Sequence, residues 1–394
     1  MGLNTFICCS NNFTMIYSLR YKFFFSILII CLASCKTQQS SSANNSEQWL
    51  LPFTKLDSVN PVMKPGDLAF FCPVQQKEIK WEAKNVYNPA VVIRNDTLIM
   101  LYRAQDSAGC SRIGLAKTVD GIHFIRNAAP VLYPDTDEYK KYEWPGGCED
   151  PRLVQDSAGV YYLTYTAYDG NIARLMIATS TDLYHWQKHG VVFNDEHYKN
   201  IWSKSGSIIS NYVNGNAVAA KIDNKYWMYW GDKYIWLATS TDLIHWSPVE
   251  TTAKNNGDYD SVYSDNNISA LKIAVPTRKK KYDCDLVESG PPAMITNKGI
   301  LLIYNSRNIP AIGDTSLPFG TYTVSEVLFD KNEPSKIINR MDTFFLKPER
   351  PYEFNGEVNN VCFAEGLAMY KNKWWLYYGT ADSKIAVAVK NISK

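Results

Sequence analysis

The chain has 394 residues, and 41 Lys plus Arg against 39 Asp plus Glu leave a formal charge of +2. With no concentrated basic excess, a nucleic-acid partner is not expected. An aromatic content of 13%, with Tyr at 26 and Trp at 11, excludes a disordered chain and favours strands and wet binding clefts.

The first segment in chain order reads as a leader. Arg20 and Lys22 precede a short apolar run, residues 23–30, which is too short to span a bilayer and fits a signal-peptide core. The run ends in Leu32-Ala33-Ser34-Cys35, which resembles a bacterial lipobox. Residues 1–35 are therefore expected to be a signal peptide that leaves a lipidated Cys35 at the mature N-terminus. Residues 36–50, rich in Gln, Ser and Asn, follow as a flexible tether, and residues 51–394 as a single folded domain. The expected location is outside the cytoplasm, periplasmic or at the cell surface, with the membrane met only through the acyl chains. Beyond the leader, Cys72, Cys110, Cys148, Cys284 and Cys362 follow neither a zinc spacing nor a disulfide framework, so buried thiols are expected.

A hydrophobic strand ending in Tyr and a polar cluster then recurs five times, in residues 96–103, 160–165, 225–232, 299–305 and 373–379. Its tyrosines, Tyr102, Tyr165, Tyr229, Tyr304 and Tyr377, are spaced 63 to 75 residues apart. A second strand follows in related wording, with residues 174–186 matching 235–246 and, more loosely, 112–124. Apolar runs of this length rich in β-branched and aromatic residues, bounded by turn formers, read as strands. Each repeat has room for about four strands, so the chain is expected to be all-β, a five-bladed β-propeller. The Asp-Leu-x-His-Trp segments around His185 and His245 recur with the strands and are read as turns, not as active sites. The repeated strands are expected to be the inner ones around a central channel, so the polar residues after each, Arg103 and Asp106, Asp169, Asp232, Arg307 and Asp382, are expected to ring an axial pocket. Acids and arginines so placed can grip the hydroxyls of a polyol.

Where the repeat breaks, chemistry is expected. Residues 144–153, with Glu149-Asp150-Pro151-Arg152 at their centre, have no counterpart in the other blades. Together with Asn88-Pro89-Ala90, Leu101-Tyr102-Arg103-Ala104, Lys204-Ser205-Gly206, Glu288-Ser289-Gly290-Pro291-Pro292, Arg350-Pro351-Tyr352-Glu353, Asn359-Asn360-Val361 and Gly379-Thr380-Ala381-Asp382, they resemble glycoside hydrolase family 130. The likeness runs from about residue 88 to residue 389. It implies a five-bladed propeller acting with inversion on β-mannosides. Most such enzymes are phosphorylases, and some are hydrolases of β-1,2-linked mannosides. It also implies Asp150 as a proton donor acting through a sugar hydroxyl, Arg103, Asp169 and Asp382 as holders of the mannose, and no metal or organic cofactor. The matching segments and strand ends add Asn88, Arg152, Lys204, Asp232, Tyr304 and Arg307 as substrate-binding candidates.

The nucleophile is the open choice. A phosphate dianion needs several cationic donors held together, whereas an attacking water needs a carboxylate base about 6.5–9.5 Å from the acid. Phosphorylases resemble one another in a tyrosine-histidine-glycine segment, and this chain has Tyr304-Asn305-Ser306 there. Arg174, Lys204 and Arg307 nevertheless keep positive charge nearby. Glu288, Glu353, Glu357 and Glu365 are available as base, and Glu288, just before a repeated strand, is the choice. The expectation is an inverting β-mannosidase, with an oligosaccharide as partner. A phosphorylase using inorganic phosphate and a non-catalytic glycan-binding lipoprotein are the alternatives.

Overall fold

A computed structural model of the chain describes residues 49–251 and 271–392; the segment read as a signal peptide, Cys35 and most of the segment read as a tether lie outside the described residues. The alternating apolar runs become antiparallel strands arranged in five blades. Blade 1 holds Asn85–Arg94, Thr97–Gln105, Ser111–Thr118 and Ile125–Arg126; blade 2 holds Gly147–Gln155, Tyr161–Tyr168, Ala173–Ser180 and Gln187–Val191. Blade 3 runs Ser207–Ile208, Lys225–Trp230, Ile235–Ser240 and Trp246–Pro248, and blade 4 runs Leu286–Ser289, Ile300–Arg307, Tyr322–Phe329 and Ile337–Arg340. Blade 5 is Cys362–Tyr370, Lys373–Thr380 and Lys384–Asn391, with the N-terminal strand Thr54–Lys55 as its outer edge.

That last pairing closes the ring by joining the two ends of the domain. Thr54 and Lys55 pair with Val389 and Ala388, and the Asn60 amide both donates to the Val387 carbonyl and accepts from the Val387 amide. A closed ring of blades leaves only short edges exposed. The domain also begins earlier than residue 51: Leu50 is buried against blades 4 and 5, and its amide donates to Glu326 at 3.0 Å.

The repeated strand is the second from the axis, not the innermost, which corrects the expectation from sequence. The innermost strands are the less alike ones, Asn85–Arg94, Gly147–Gln155, Ser207–Ile208, Leu286–Ser289 and Cys362–Tyr370. The second strands repeat because they are core. All five recurring tyrosines are fully buried, and each hydroxyl finds a partner off its own strand: Glu82, Glu143, the Pro334 carbonyl, Asp283 and the Gly121 carbonyl. A buried phenol that fills volume and satisfies its hydroxyl is a recurring packing unit.

The Asp-Leu-x-His-Trp segments are turns. Asp182 Oδ1 accepts the amides of Tyr184 and His185, its Oδ2 holds His185 Nδ1, and Trp186 Nε1 donates back to the Leu183 carbonyl. Asp242 and Trp246 repeat this arrangement, and Asp120 repeats the carboxylate part. This is the local side-chain capping that Asp favours in turns. Cys72, Cys110, Cys148, Cys284 and Cys362 are buried free thiols.

Candidate active site

Asn88 and Asp150 stand near the starts of the innermost strands of blades 1 and 2, each at a shift in strand register. Both have left-handed backbones, with φ of 49° and 48°. A bulge of this kind re-aims a side chain, and non-glycine residues held at positive φ are strained positions that cluster at functional sites. Ser205, at φ 57°, and Asp382, at φ 47°, share the conformation. Gly379 is required beside them, because a Cβ there would lie 2.6 Å from Asn88 Oδ1.

Asp150 is the hub. Its Oδ1 accepts from Asn88 Nδ2 at 2.8 Å and from Arg103 Nη1 at 3.0 Å, and its Oδ2 lies 3.5 Å from Lys204 Nζ. Arg103 also grips Glu149 at 2.6 Å, donates to Ser111 and lies over the Tyr87 ring at 4.7 Å. Lys204 also feels the buried Glu288 carboxylate, which accepts from the Ser205 hydroxyl.

Burial and charge then set the protonation states. Burial works against ionising Asp150, but Arg103, Lys204 and Arg152 outweigh it and hold the carboxyl well below its usual range. Burial pushes Glu288 up to about 7, with Lys204 pulling down and Asp232 pushing up. Asp382 is raised to about 6, chiefly by burial, against the pull of Arg103. Lys204 is pushed above its usual value: burial opposes its charge, and Asp150, Glu288, Glu149 and Asp232 overcome that. One lysine is thus held electrostatically by both of the carboxyls proposed for catalysis.

The expected residues sort into three groups. Asn88, Arg103, Asp150, Lys204, Glu288 and Asp382 converge in one charge cluster. Asp232 joins it through Lys204 and Glu288, and accepts from Trp202 Nε1 at 2.9 Å; Trp202 in turn meets Tyr168 edge to face. Arg307 sits at the rim of blade 4, bonded to Asp285 and to the Tyr322 hydroxyl. Asp169 belongs to the rim of blade 2, where it pairs with Arg174 at 2.6 Å and caps the turn at Asn171 and Ile172.

Three expectations are corrected. Arg152 is not a substrate contact: it is fully buried, donates to the carbonyls of Ser289, Gly290 and Asp150, and pairs with Glu365 at 2.9 Å. It is a strut between the Asp150 turn and the Glu288 strand. Tyr304 is the blade 4 copy of the core tyrosine, with its hydroxyl held by Tyr282, Asp283 and Arg340; its neighbours Arg307 and Asn305 carried the wrong inference to it. Asp106 is likewise structural, bound to Arg112 at 3.0 Å. Of the other possible bases, Glu353 is locked to Lys55 and Tyr378, Glu357 binds Lys84 and Glu365 lies under Arg152.

Tyr87, Glu149 and Tyr322 were missed. Tyr87 and Glu149 adjoin named residues, so the motifs pointed to their neighbourhood. Tyr322 opposes Arg307 in the strand register and feels Glu288, Asp382 and Lys204, but it carries no local motif.

The fold and this axial cluster of carboxylates, Arg and Lys define a propeller built to process glycans. The sequence model of family 130, described as beta-1,4-mannooligosaccharide phosphorylase, matches residues 60–394. A 1,2-beta-oligomannan phosphorylase of Thermoanaerobacter sp. (strain X514) is 30% identical over 322 residues, covering 79% of this chain and 92% of that protein. A glycosyl hydrolase structure from Bacteroides ovatus is 39% identical with a TM-score of 0.81, covering 88% of this chain and 96% of its own. A further structure has 41% identity, a TM-score of 0.81 and coverage of 87% and 94%; it is described by the statement that the GH130 family of mannoside phosphorylases contains glycoside hydrolases that target beta-1,2 mannosidic linkages in Candida mannan. The chain belongs to glycoside hydrolase family 130, whose enzymes act on β-mannosides.

Proposed function

We propose that this protein is an inverting β-mannosidase that attacks with water, with β-1,2-linked mannosides as the substrate class. The observation that carries this reading is the pairing of two axial carboxyls of opposite character, Asp150 and Glu288, around one lysine, Lys204.

Inverting hydrolysis needs one protonated and one ionised carboxyl. With Asp150 held ionised and Glu288 titrating at about 7, the bare protein keeps the pair's proton on Glu288 below that pH. The competent form has Glu288 ionised, to draw a proton from water, and Asp150 protonated, to pass one through a mannose hydroxyl to the leaving oxygen. Substrate hydroxyls that take over the donors of Arg103 and Lys204 release Asp150 to accept that proton. Asp382 and Asp232 supply acceptors for the sugar's hydroxyls.

The charge balance supports water over phosphate. Arg103, Lys204, Arg174 and Arg307 each already face a carboxylate. Asn305, at the position of the phosphorylases' histidine, spends its amide on the Ala364 backbone, donating at 3.1 Å and accepting at 2.7 Å. A lipidated Cys35 on an exported protein agrees, because sugar phosphate made outside the cell is poorly conserved. The second reading is a phosphorylase, favoured by the names of the curated relatives and by Arg307, whose side chain is 40% exposed at the rim.

The deciding experiment incubates the protein with β-1,2- and β-1,4-mannobiose, with and without phosphate, under NMR observation. Release of mannose first seen as the α anomer, at a rate indifferent to phosphate, is expected. Phosphate-dependent mannose 1-phosphate would establish the phosphorylase instead.

A further inference from the structure

A second cavity lies on the outer flank of the propeller, against the turn and outermost strand of blade 2 and the segment leading in from blade 1. It encloses about 370 Å³, within the size range of small-ligand pockets, about 300–1,000 Å³. The outermost strand is the farthest of its blade from the strand that carries Asp150, so this cavity is separate from the axial site.

Its walls are aromatic. Tyr133, Tyr139, Tyr184 and Trp186 all line it and are all half-buried. The hydroxyls of the three tyrosines make no hydrogen bond to the described residues, whereas Trp186 Nε1 is spent on the Leu183 carbonyl. Lys188, the cation in the wall, is fully committed: its ammonium donates to the Tyr133 carbonyl at 2.9 Å, to Asp137 at 3.0 Å and to Glu143 at 2.6 Å. An ammonium has three donors, so Lys188 has none left for an anion.

These features select a ligand. The lining sets Asp135 and Asp137 against a lysine that is already paired, an acidic balance that disfavours phosphate or an acidic polymer. Flat aromatic faces suit a molecule with apolar C–H faces, and unclaimed phenol hydroxyls suit one with many hydroxyls at its edge. We propose that this flank cavity is a second, non-catalytic binding site for a neutral hexose unit of a glycan chain, holding polysaccharide beside the propeller. The inference does not depend on which bond the axial site cleaves.

The test is native gel electrophoresis of the full chain carrying Asp150→Asn, in gels containing soluble β-mannan, α-mannan or β-glucan. At least one polysaccharide should retard the protein, and adding Tyr139→Ala and Tyr184→Ala should weaken that binding about tenfold or more. Retardation by none of the three, or retardation unchanged by the two substitutions, overturns the proposal. If the alanine variant does not fold, Tyr133→Phe/Tyr139→Phe/Tyr184→Phe removes only the hydroxyls; it should weaken binding severalfold, and unchanged binding again overturns the site. With Asp150 intact, Tyr139→Ala/Tyr184→Ala should turn over a disaccharide substrate at the wild-type rate.

Discussion

Asn88 and Asp150 come from neighbouring blades, share the same left-handed backbone and meet side chain to side chain at 2.8 Å. The Asn88 amide can only donate through Nδ2, so it favours the ionised carboxylate and fixes which oxygen faces Arg103. Its own Oδ1 is buried against Gly379 without a hydrogen-bond partner among the described residues. Asp150→Asn should therefore cut kcat by about 10³-fold or more, at the upper end of what general acid catalysis contributes, about 10²–10⁴. Asn88→Ala should lower kcat/KM less, by about ten- to a hundredfold, with the fold intact by circular dichroism.

The pH dependence follows from Glu288. As the base it must be ionised, so activity should fall as the pH drops through its value of about 7 in the bare protein. The Ser205 hydroxyl donates to the carboxylate and pulls that value down. Removing the donor raises it, so Ser205→Ala should move the acid limb of the pH–rate profile upward, while Glu288→Gln should abolish hydrolysis at every pH. An acid limb that stays in place in Ser205→Ala would remove Glu288 from the role of base.

Arg152 should behave as a positioning residue. Breaking a buried pair by removing one partner costs roughly 3–5 kcal/mol, so Arg152→Met should lower the thermal midpoint markedly and leave Glu365 buried without its cation. Adding Glu365→Gln replaces a carboxyl that burial already pushes well above its usual range and should recover part of the stability. Because the Asp150 carbonyl and the Glu288 strand lose their common strut, kcat should not recover with it.

Tyr304→Phe tests the reassignment of that residue to the core. Its hydroxyl bonds only buried protein groups, so its loss should cost roughly 1–3 kcal/mol for the partners left unsatisfied. KM should stay at its wild-type value. A raised KM with unchanged stability would return Tyr304 to the binding site.

The five-fold recurrence of tyrosine-ended strands, and the turns that follow them, made the propeller legible from residue order, because core packing repeats wherever the same job repeats. Segments that interrupt the repeat marked Asp150, Asn88, Lys204 and Glu288. Residue order could not separate Arg307 from Tyr304, or Arg103 from Arg152. Tyr304 and Arg307 share one strand, where side chains an odd number of steps apart point to opposite faces; Arg103 and Arg152 stand in separate motifs on neighbouring blades, and only burial tells the axial arginine from the strut.

Chain order and composition alone therefore determined the blade number, the structural role of the Asp-His turns and the repeat-breaking segments that hold the acids. Tertiary structure decided which strand is innermost, which arginine reaches the axis and which carboxyl keeps a proton. Those answers depend on burial and on charges brought from blades as far apart in sequence as Asp150 and Asp382, and the energy of such contacts is set by distance in space, not along the chain.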